Sequence, residues 1–216
     1  MSAAPPTVLV LAKEPVPGRV KTRLCPPCTP AEAATIAGAA IADTVATVTA
    51  TASTRPLLVL DGEVGPWLSL PIEVVPQGHG DLGDRLAAAF SHAGGRAVLI
   101  GMDTPQVTAD QIDRAIDGLG DPDVDAVLGL TADGGWWIIG FAAPTPLAFE
   151  GVAMSRPTTG THQYARLTEL GLRTALVDQK TDVDTFADAL TVADAHPDLR
   201  FSRAVRGVSA AMLTSA

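Results

Sequence analysis

Apolar runs alternate with helical stripes along most of this chain. TVLVLA (Thr7–Ala12), PLLVL (Pro56–Leu60), PIEVV (Pro71–Val75) and RAVLIG (Arg96–Gly101) are short and apolar, the first and last nearly without interruption. Strands covered on both faces read this way. Thr29-Pro30-Ala31-Glu32 forms a capping box with proline at the first helical position, and Ile36, Ala40, Ile41, Val45 and Val48 keep helical spacing behind it. A second helix is predicted from about Asp81 to Ala93, and a third from Thr108, where Gln111 completes another capping box.

DAVLGLT (Asp125–Thr131) and WWIIGFA (Trp136–Ala142) flank a turn too tight for a parallel crossover, so one strand pair is antiparallel. Alternation along that second strand makes one of Trp136 and Trp137 a core residue and the other a rim residue. A last helix pair, about Thr161–Leu170 and Thr185–Ala195, encloses RTALV (Arg173–Val177). The expected fold is therefore an α/β sandwich with a mixed, mainly parallel sheet, in one domain over residues 1–195. Residues 196–216 form a tail with Arg200, Arg203 and Arg206 followed by small residues, either a docked helix or a frayed end.

At 216 residues, 47% hydrophobic and 18% charged, the chain has the composition of a globular domain. A net charge of -9 argues against nucleic acid or an anionic membrane surface as partner, since both need broad positive potential. No uninterrupted apolar run reaches the roughly 18 residues of a membrane span. The start MSAAPPTVLVLAK lacks a secretory pattern, which makes the cytoplasm the expected compartment. Oligomeric state stays open, a homodimer included. Cys25 and Cys28 form a CPPC pair, the spacing of a redox couple or half a zinc site. No second pair exists and the nearest histidine is His79, so they are read as loop thiols without chemistry.

Local charge runs against the global balance. Lys13, Arg19, Lys21 and Arg23 crowd into KEPVPGRVKTR directly after the first strand, where Pro15, Pro17 and Gly18 prevent a helix and shape a loop. Open α/β sheets bind ligands at the carboxyl ends of their strands, so this loop suits phosphate; the ordinary alternative is a solvated loop. Asp103 follows the RAVLIG strand at the same edge, and a carboxylate facing phosphate calls for a divalent cation, magnesium or manganese, between them. Asp133-Gly134-Gly135 reads equally as a ligand-lining turn or an ordinary hairpin. Asp182-Val183-Asp184-Thr185 offers two carboxylates or simply a helix cap. In QGHGDLGDR the glycines, Gly78 among them, let backbone beside Gln77 approach a flat ligand while Arg85 reaches back toward phosphate. His79 and His162 have the chemistry of an acid or base, though isolated histidines are commonly bystanders.

Five segments in order, LAKEPVPGRVKTRL, QGHGDLGDRL, IGMDTPQ, TADGGWWIIG and DVDT, resemble a bacterial family of GT-A-like transferases, sometimes called the rSAM/selenodomain-associated transferases. The resemblance spans about Val8 to Leu190. It implies the three-layer α/β/α sandwich of nucleotide-diphospho-sugar transferases. It further implies that Lys13, Gly18, Arg19, Lys21 and Arg23 wrap nucleotide phosphates and that Asp103 is the principal metal ligand. Asp184, or Asp182, would be a second ligand, and Asp133, Gly134 and Gly135 would line the sugar or acceptor pocket. The family pattern departs at Met102-Asp103-Thr104, one carboxylate in place of an Asp-x-Asp motif, and at Cys25 and Cys28 in a stretch usually rich in proline and leucine. The leading expectation is a metal-dependent transferase using a nucleotide-diphospho-sugar, with Asp133 orienting or deprotonating the acceptor hydroxyl. A nucleotidylyltransferase releasing pyrophosphate is the second, and a non-catalytic nucleotide-binding protein the third.

Overall fold

A computed structural model describes residues 4–214. The first three residues, part of the start read for a secretory pattern, and Ser215 and Ala216 of the tail lie outside the described residues. Seven strands form one sheet: β1 (Thr7–Lys13), β2 (Arg55–Asp61), β3 (Glu73–Pro76), β4 (Ala97–Gly101), β5 (Ala126–Thr131), β6 (Trp136–Phe141) and β7 (Thr174–Lys180). Their order is β3-β2-β1-β4-β6-β5-β7. Only β6 runs against its neighbours, being antiparallel to both β4 and β5. The sheet is mixed and mainly parallel, as the short Asp133 turn requires.

Six helices accompany it: α1 (Pro30–Ala50), α2 (Leu82–Ser91), α3 (Ala109–Gly118), α4 (Thr159–Glu169), α5 (Phe186–Ala195) and α6 (Arg200–Thr214). The caps read from sequence set their starts. Glu32 accepts from the Thr29 N–H at 2.7 Å and Gln111 from the Thr108 N–H at 3.1 Å. Asp81 and Asp84 form a further reciprocal cap at the start of α2.

Strand alternation divides the core in two. Val8, Val10, Val98 and Ile100 face α1 and α3, packing with Ile41, Val45 and Ile112. Leu9, Leu57, Leu99 and Phe141 face the other way, onto Leu86 and Phe90 of α2 and Leu167 of α4. Helices thus cover both faces, giving three layers. Trp137 lies in the core at 3% exposure and Trp136 is half-buried, as alternation demands.

The sequence reading ends β7 at Val177, but the strand continues to Lys180 and so delivers Asp182 to the sheet edge. A 3-10 turn at Pro146–Phe149 had no expected counterpart; it seats Phe149 against Phe90 and Phe141. The tail is a docked helix. Phe201, Val205 and Val208 of α6 form a third cluster with Ile36 of α1, Val192 of α5, Leu24 and Val183. Helix α1 is long and apolar enough to cross a membrane by length and hydropathy, despite lacking an unbroken apolar run, and 67% of its most apolar stretch is buried inside the protein.

Asp43 anchors α6. It lies on α1 at 5% exposure, and its carboxylate accepts from the Phe201 N–H at 2.8 Å and from Arg200 at 3.4 Å. Asp43→Ala leaves a buried N–H unpaired, an expected loss of about 2 kcal/mol. In thermal unfolding this corresponds to about 6 °C in Tm. An unchanged Tm would show that α6 docks without that carboxylate.

Candidate functional site

The carboxyl ends of the parallel strands converge on one cleft of about 780 Å³. Each supplies a polar group at or just past its last residue: Lys13 from β1, Asp61 from β2, Gln77 from β3, Asp103 from β4, Asp133 from β5 and Asp182 from β7. Six basic and six acidic side chains line it, so the cleft is formally neutral within a chain of net charge -9. Contact with anions is therefore open here and disfavoured over most of the remaining surface.

Lys21 is the central tie. Its backbone is left-handed at φ 48°, and its side chain is only 7% exposed. The ammonium pairs with Asp103 Oδ1 at 2.6 Å and donates to the Val183 carbonyl. The Val183 N–H in turn donates to the Asp103 carbonyl at 2.8 Å. Three chain segments, after β1, β4 and β7, are locked together by one cation.

Other cations are also committed. Arg23 pairs with Asp184 at 2.6 Å, while Lys13 and Arg85 each lie 3.7 Å from Asp61. Gln77 accepts from Arg85 at 3.2 Å and donates to the Ala12 carbonyl at 2.8 Å, fastening the end of β3 to β1. Among the described residues Arg19 and Arg156 line the cleft with no carboxylate within ion-pair distance.

Asp133, Asp182 and Asp184 form the carboxylate cluster, with one oxygen from each lying within 4.8 Å of the other two. Asp133 Oδ1 is held by the Thr131 hydroxyl at 2.5 Å and the Gly135 N–H at 3.0 Å. Burial, reinforced by the charges of Asp133 and Asp184, pushes Asp182 up to about 6. Arg23 pairs with Asp184, but among the described residues Asp133 and Asp182 have no cationic partner, and carboxylate oxygens converging in this way form a donor set for a hard divalent cation.

This geometry revises several sequence expectations. Asp103, expected as the principal metal ligand, is neutralised by Lys21 and stands outside the cluster of three, whereas Asp182 joins it. Gly18, Gly78 and Gly134 do not line the cleft, unlike Lys13, Arg19, Lys21, Arg23, Gln77, Arg85, Asp133, Gly135 and Asp184. Gly18 occupies an outer turn at φ +78°. Gly78 makes room for Ala88, whose Cβ lies 2.6 Å from where a side chain would begin. Gly134, at φ +93°, lets the hairpin press on the Pro157 carbonyl, which a Cβ would meet at 1.8 Å. His79 is absent from the cleft lining, and His162 borders a separate hollow with Arg166 and Glu169. Cys28 is buried, and burial followed by the neighbouring Cys25 pushes its thiol up to about 11, leaving it protonated at neutral pH.

Three charged cleft residues escaped the sequence reading: Asp61, Arg156 and Asp188, the last of which caps α5. Asp61 follows PLLVL as directly as Asp103 follows RAVLIG, so the strand-end rule that finds one finds the other. Arg156 has no such local signal; only the approach of Pro157 to Gly134 brings it to the site.

Residues 35–156, more than half of the chain, match the profile of the family described as uncharacterized proteins conserved in bacteria, DUF2064. The chain belongs to that family. No curated protein matches it. Among solved structures, this DUF2064 chain is similar to a candidate nucleotide-diphospho-sugar transferase from Desulfovibrio desulfuricans G20. The two are 22% identical over 94% of this chain and 95% of that one, with a TM-score of 0.84. A CMP:2-keto-3-deoxy-manno-octonic acid synthetase complexed with CTP aligns at 13% identity, 88% and 99% coverage and a TM-score of 0.57. A Mycobacterium tuberculosis H37Rv protein in complex with manganese aligns at 23% identity, 87% and 96% coverage and a TM-score of 0.50. This chain shares the fold of that candidate nucleotide-diphospho-sugar transferase.

The raised Asp182 carries a stability consequence. Between the ordinary carboxylate range and about 6 the folded chain holds a proton that the unfolded chain has released, so metal-free stability falls as pH rises through that window. Above it, the penalty is complete. Discounted for partial exposure it is about 1 kcal/mol. Asp182→Asn is therefore expected to raise the Tm of EDTA-treated protein by about 3 °C at pH 7.5 and to change it little at pH 4. Equal shifts at both pH values, or a loss at pH 7.5, would remove the electrostatic account.

Proposed function

We propose that this DUF2064 protein is a divalent-cation-dependent transferase whose donor is a nucleotide-diphospho-sugar. One observation carries the reading: an unpaired Arg19 on the loop after β1 shares a cleft with three carboxylates converging within 4.8 Å. Phosphate needs the first and a hard cation the second. A volume of about 780 Å³ accommodates a nucleotide. The likeness in fold to a CTP-bound synthetase and a manganese-bound protein supports both halves of the reading.

The roles follow from which groups remain available. Arg19 holds donor phosphate oxygens through charge-assisted hydrogen bonds, and Arg23 lies at the same mouth of the cleft. Lys21 keeps Asp103 and the Asp182–Asp184 turn in register, so Asp103 is a positioning residue. Asp182 and Asp184, with Asp133 beside them, would hold magnesium or manganese. When bound, the ion supplies positive charge against the leaving nucleotide. Asp133, with Oδ1 fixed by Thr131 and Gly135, keeps Oδ2 for orienting the acceptor hydroxyl and accepting its proton.

A second reading is nucleotidylyl transfer from a nucleoside triphosphate to a phosphorylated acceptor. It is favoured by the single Asp103, paired with Lys21, where an Asp-x-Asp motif would stand in a typical glycosyltransferase of this fold.

Calorimetric titration with UDP-, GDP-, ADP- and CDP-sugars in the presence of manganese separates these readings. The expected result is binding to at least one, weakened about 10-fold or more by Arg19→Gln. Cation dependence should disappear in Asp182→Asn/Asp184→Asn. Pyrophosphate release from a nucleoside triphosphate would transfer the assignment to the second reading, and tight nucleotide binding without turnover would make this a binding protein. Absence of any nucleotide affinity would overturn all three.

A further inference from the structure

Arg156 and Arg19 reach the cleft from segments attached to different strands. The strand order places β4 between β1, which carries Arg19, and the β6–β5 hairpin, which carries Asp133. Arg156 belongs to the hairpin side because its segment is bolted there. The Gly160 N–H donates to the Gly134 carbonyl at 2.8 Å, and Gly134 has no side chain to hold off the Pro157 carbonyl.

The backbone of Arg156 is equally fixed. Its N–H donates to the Thr159 hydroxyl at 2.9 Å, and its carbonyl accepts from the Thr159 N–H at 3.0 Å. The same hydroxyl donates to the Ala153 carbonyl at 2.9 Å, and Thr159 is 5% exposed. A buried threonine therefore clamps this segment from both directions. The guanidinium, by contrast, has no carboxylate within ion-pair distance, despite the acidic cluster in the same cleft. Arginine's five fixed donors match the planar or tetrahedral oxygens of carboxylate and phosphate.

We infer that Arg156 is the anion-binding group of the acceptor pocket, so the molecule receiving the transferred unit carries a phosphate or a carboxylate. This rests on the donor reading above, which assigns the β1 side to the nucleotide and leaves the hairpin side for the acceptor. It holds for either transfer chemistry. A neutral acceptor would leave the guanidinium of Arg156, carried on a fixed backbone at the cleft, with nothing to bind.

The test titrates the full chain in magnesium with glycerol 3-phosphate, glycerate and glycerol, three probes sharing a hydroxylated carbon frame. Tryptophan fluorescence reports occupancy, since Trp136 lines the cleft. Wild type is expected to bind at least one charged probe about 10-fold or more tightly than glycerol, and Arg156→Gln to lose that preference. The stronger charged probe identifies phosphate or carboxylate. Arg19→Gln should keep the preference. A nucleoside diphosphate titration of the same proteins should show the converse, weakened by Arg19→Gln and unchanged by Arg156→Gln. Because the Arg156 side chain is exposed, the variant should retain the wild-type Tm, which is measured alongside. Equal binding of glycerol, an unaltered preference in Arg156→Gln, or loss of preference in Arg19→Gln would each overturn the inference. Failure of every nucleoside diphosphate to bind would instead strike the donor reading, while the Arg156 titration still reports anion selectivity on its own.

Discussion

The Lys21–Asp103 ion pair is the constraint on which the cleft depends. Three loops leave the sheet at different strands and have no reason, in isolation, to meet. A nearly buried ammonium binding the Asp103 carboxylate and the Val183 carbonyl fixes their relation. Such a charge is tolerated inside a protein only when its donors are satisfied, so removing the carboxylate would leave the Lys21 ammonium without its counter-ion. Behind this tie, Leu24 and Val183 enter the same hydrophobic cluster as Phe201 and Val205 of α6. The terminal helix thus packs directly beneath the polar edge, and Asp43 holds that helix in place from α1.

Charge in the cleft sorts into groups that are spent and groups that are free. Lys13, Lys21, Arg23 and Arg85 have carboxylate partners, which fixes the shape of the loops without presenting charge to a ligand. Among the described residues Arg19 and Arg156 have none, and they come from segments attached to different strands. Asp133, Asp182 and Asp184 line the same cleft. A divalent ion there would turn a formally neutral cleft positive, which is what two anionic substrates require of it.

How much of this was legible in the sequence depends on how local each determinant is. The strands from TVLVLA to WWIIGFA and the caps at Thr29 and Thr108 are specified by residues within a few positions of each other, and they stand where the pattern put them. Helix α6 was not legible. Phe201, Val205, Val208 and Met212 do stand at helical spacing, a stripe that the arginines obscured, and the helix start is held by Asp43, far away in sequence. Among the acidic residues, sequence position identified the strand ends but not their order of importance. Asp103 and Asp182 are equivalent as letters; one is neutralised by a buried lysine, and the other is half-buried among like charges. Gly134 reads as a hairpin glycine, yet its consequence is to bring in Pro157 and with it Arg156.

The acidic cluster shows why local reasoning weakens at this edge. At several other places polar groups satisfy one another: capping boxes close on themselves, Arg173 gathers Asp123 and Asp125, and Asp43 takes a helix N–H. At Asp182 the same chain tolerates burial and two neighbouring negative charges, and the carboxyl responds by holding its proton more tightly. A sequence optimised only for folding would relieve that repulsion with an asparagine or a pairing arginine. Arg23 does so for Asp184, yet among the described residues Arg19 and Arg156 line the cleft without pairing with Asp182 or Asp133. The repulsion left at Asp182 is a cost in stability that the proposed cation would offset on binding.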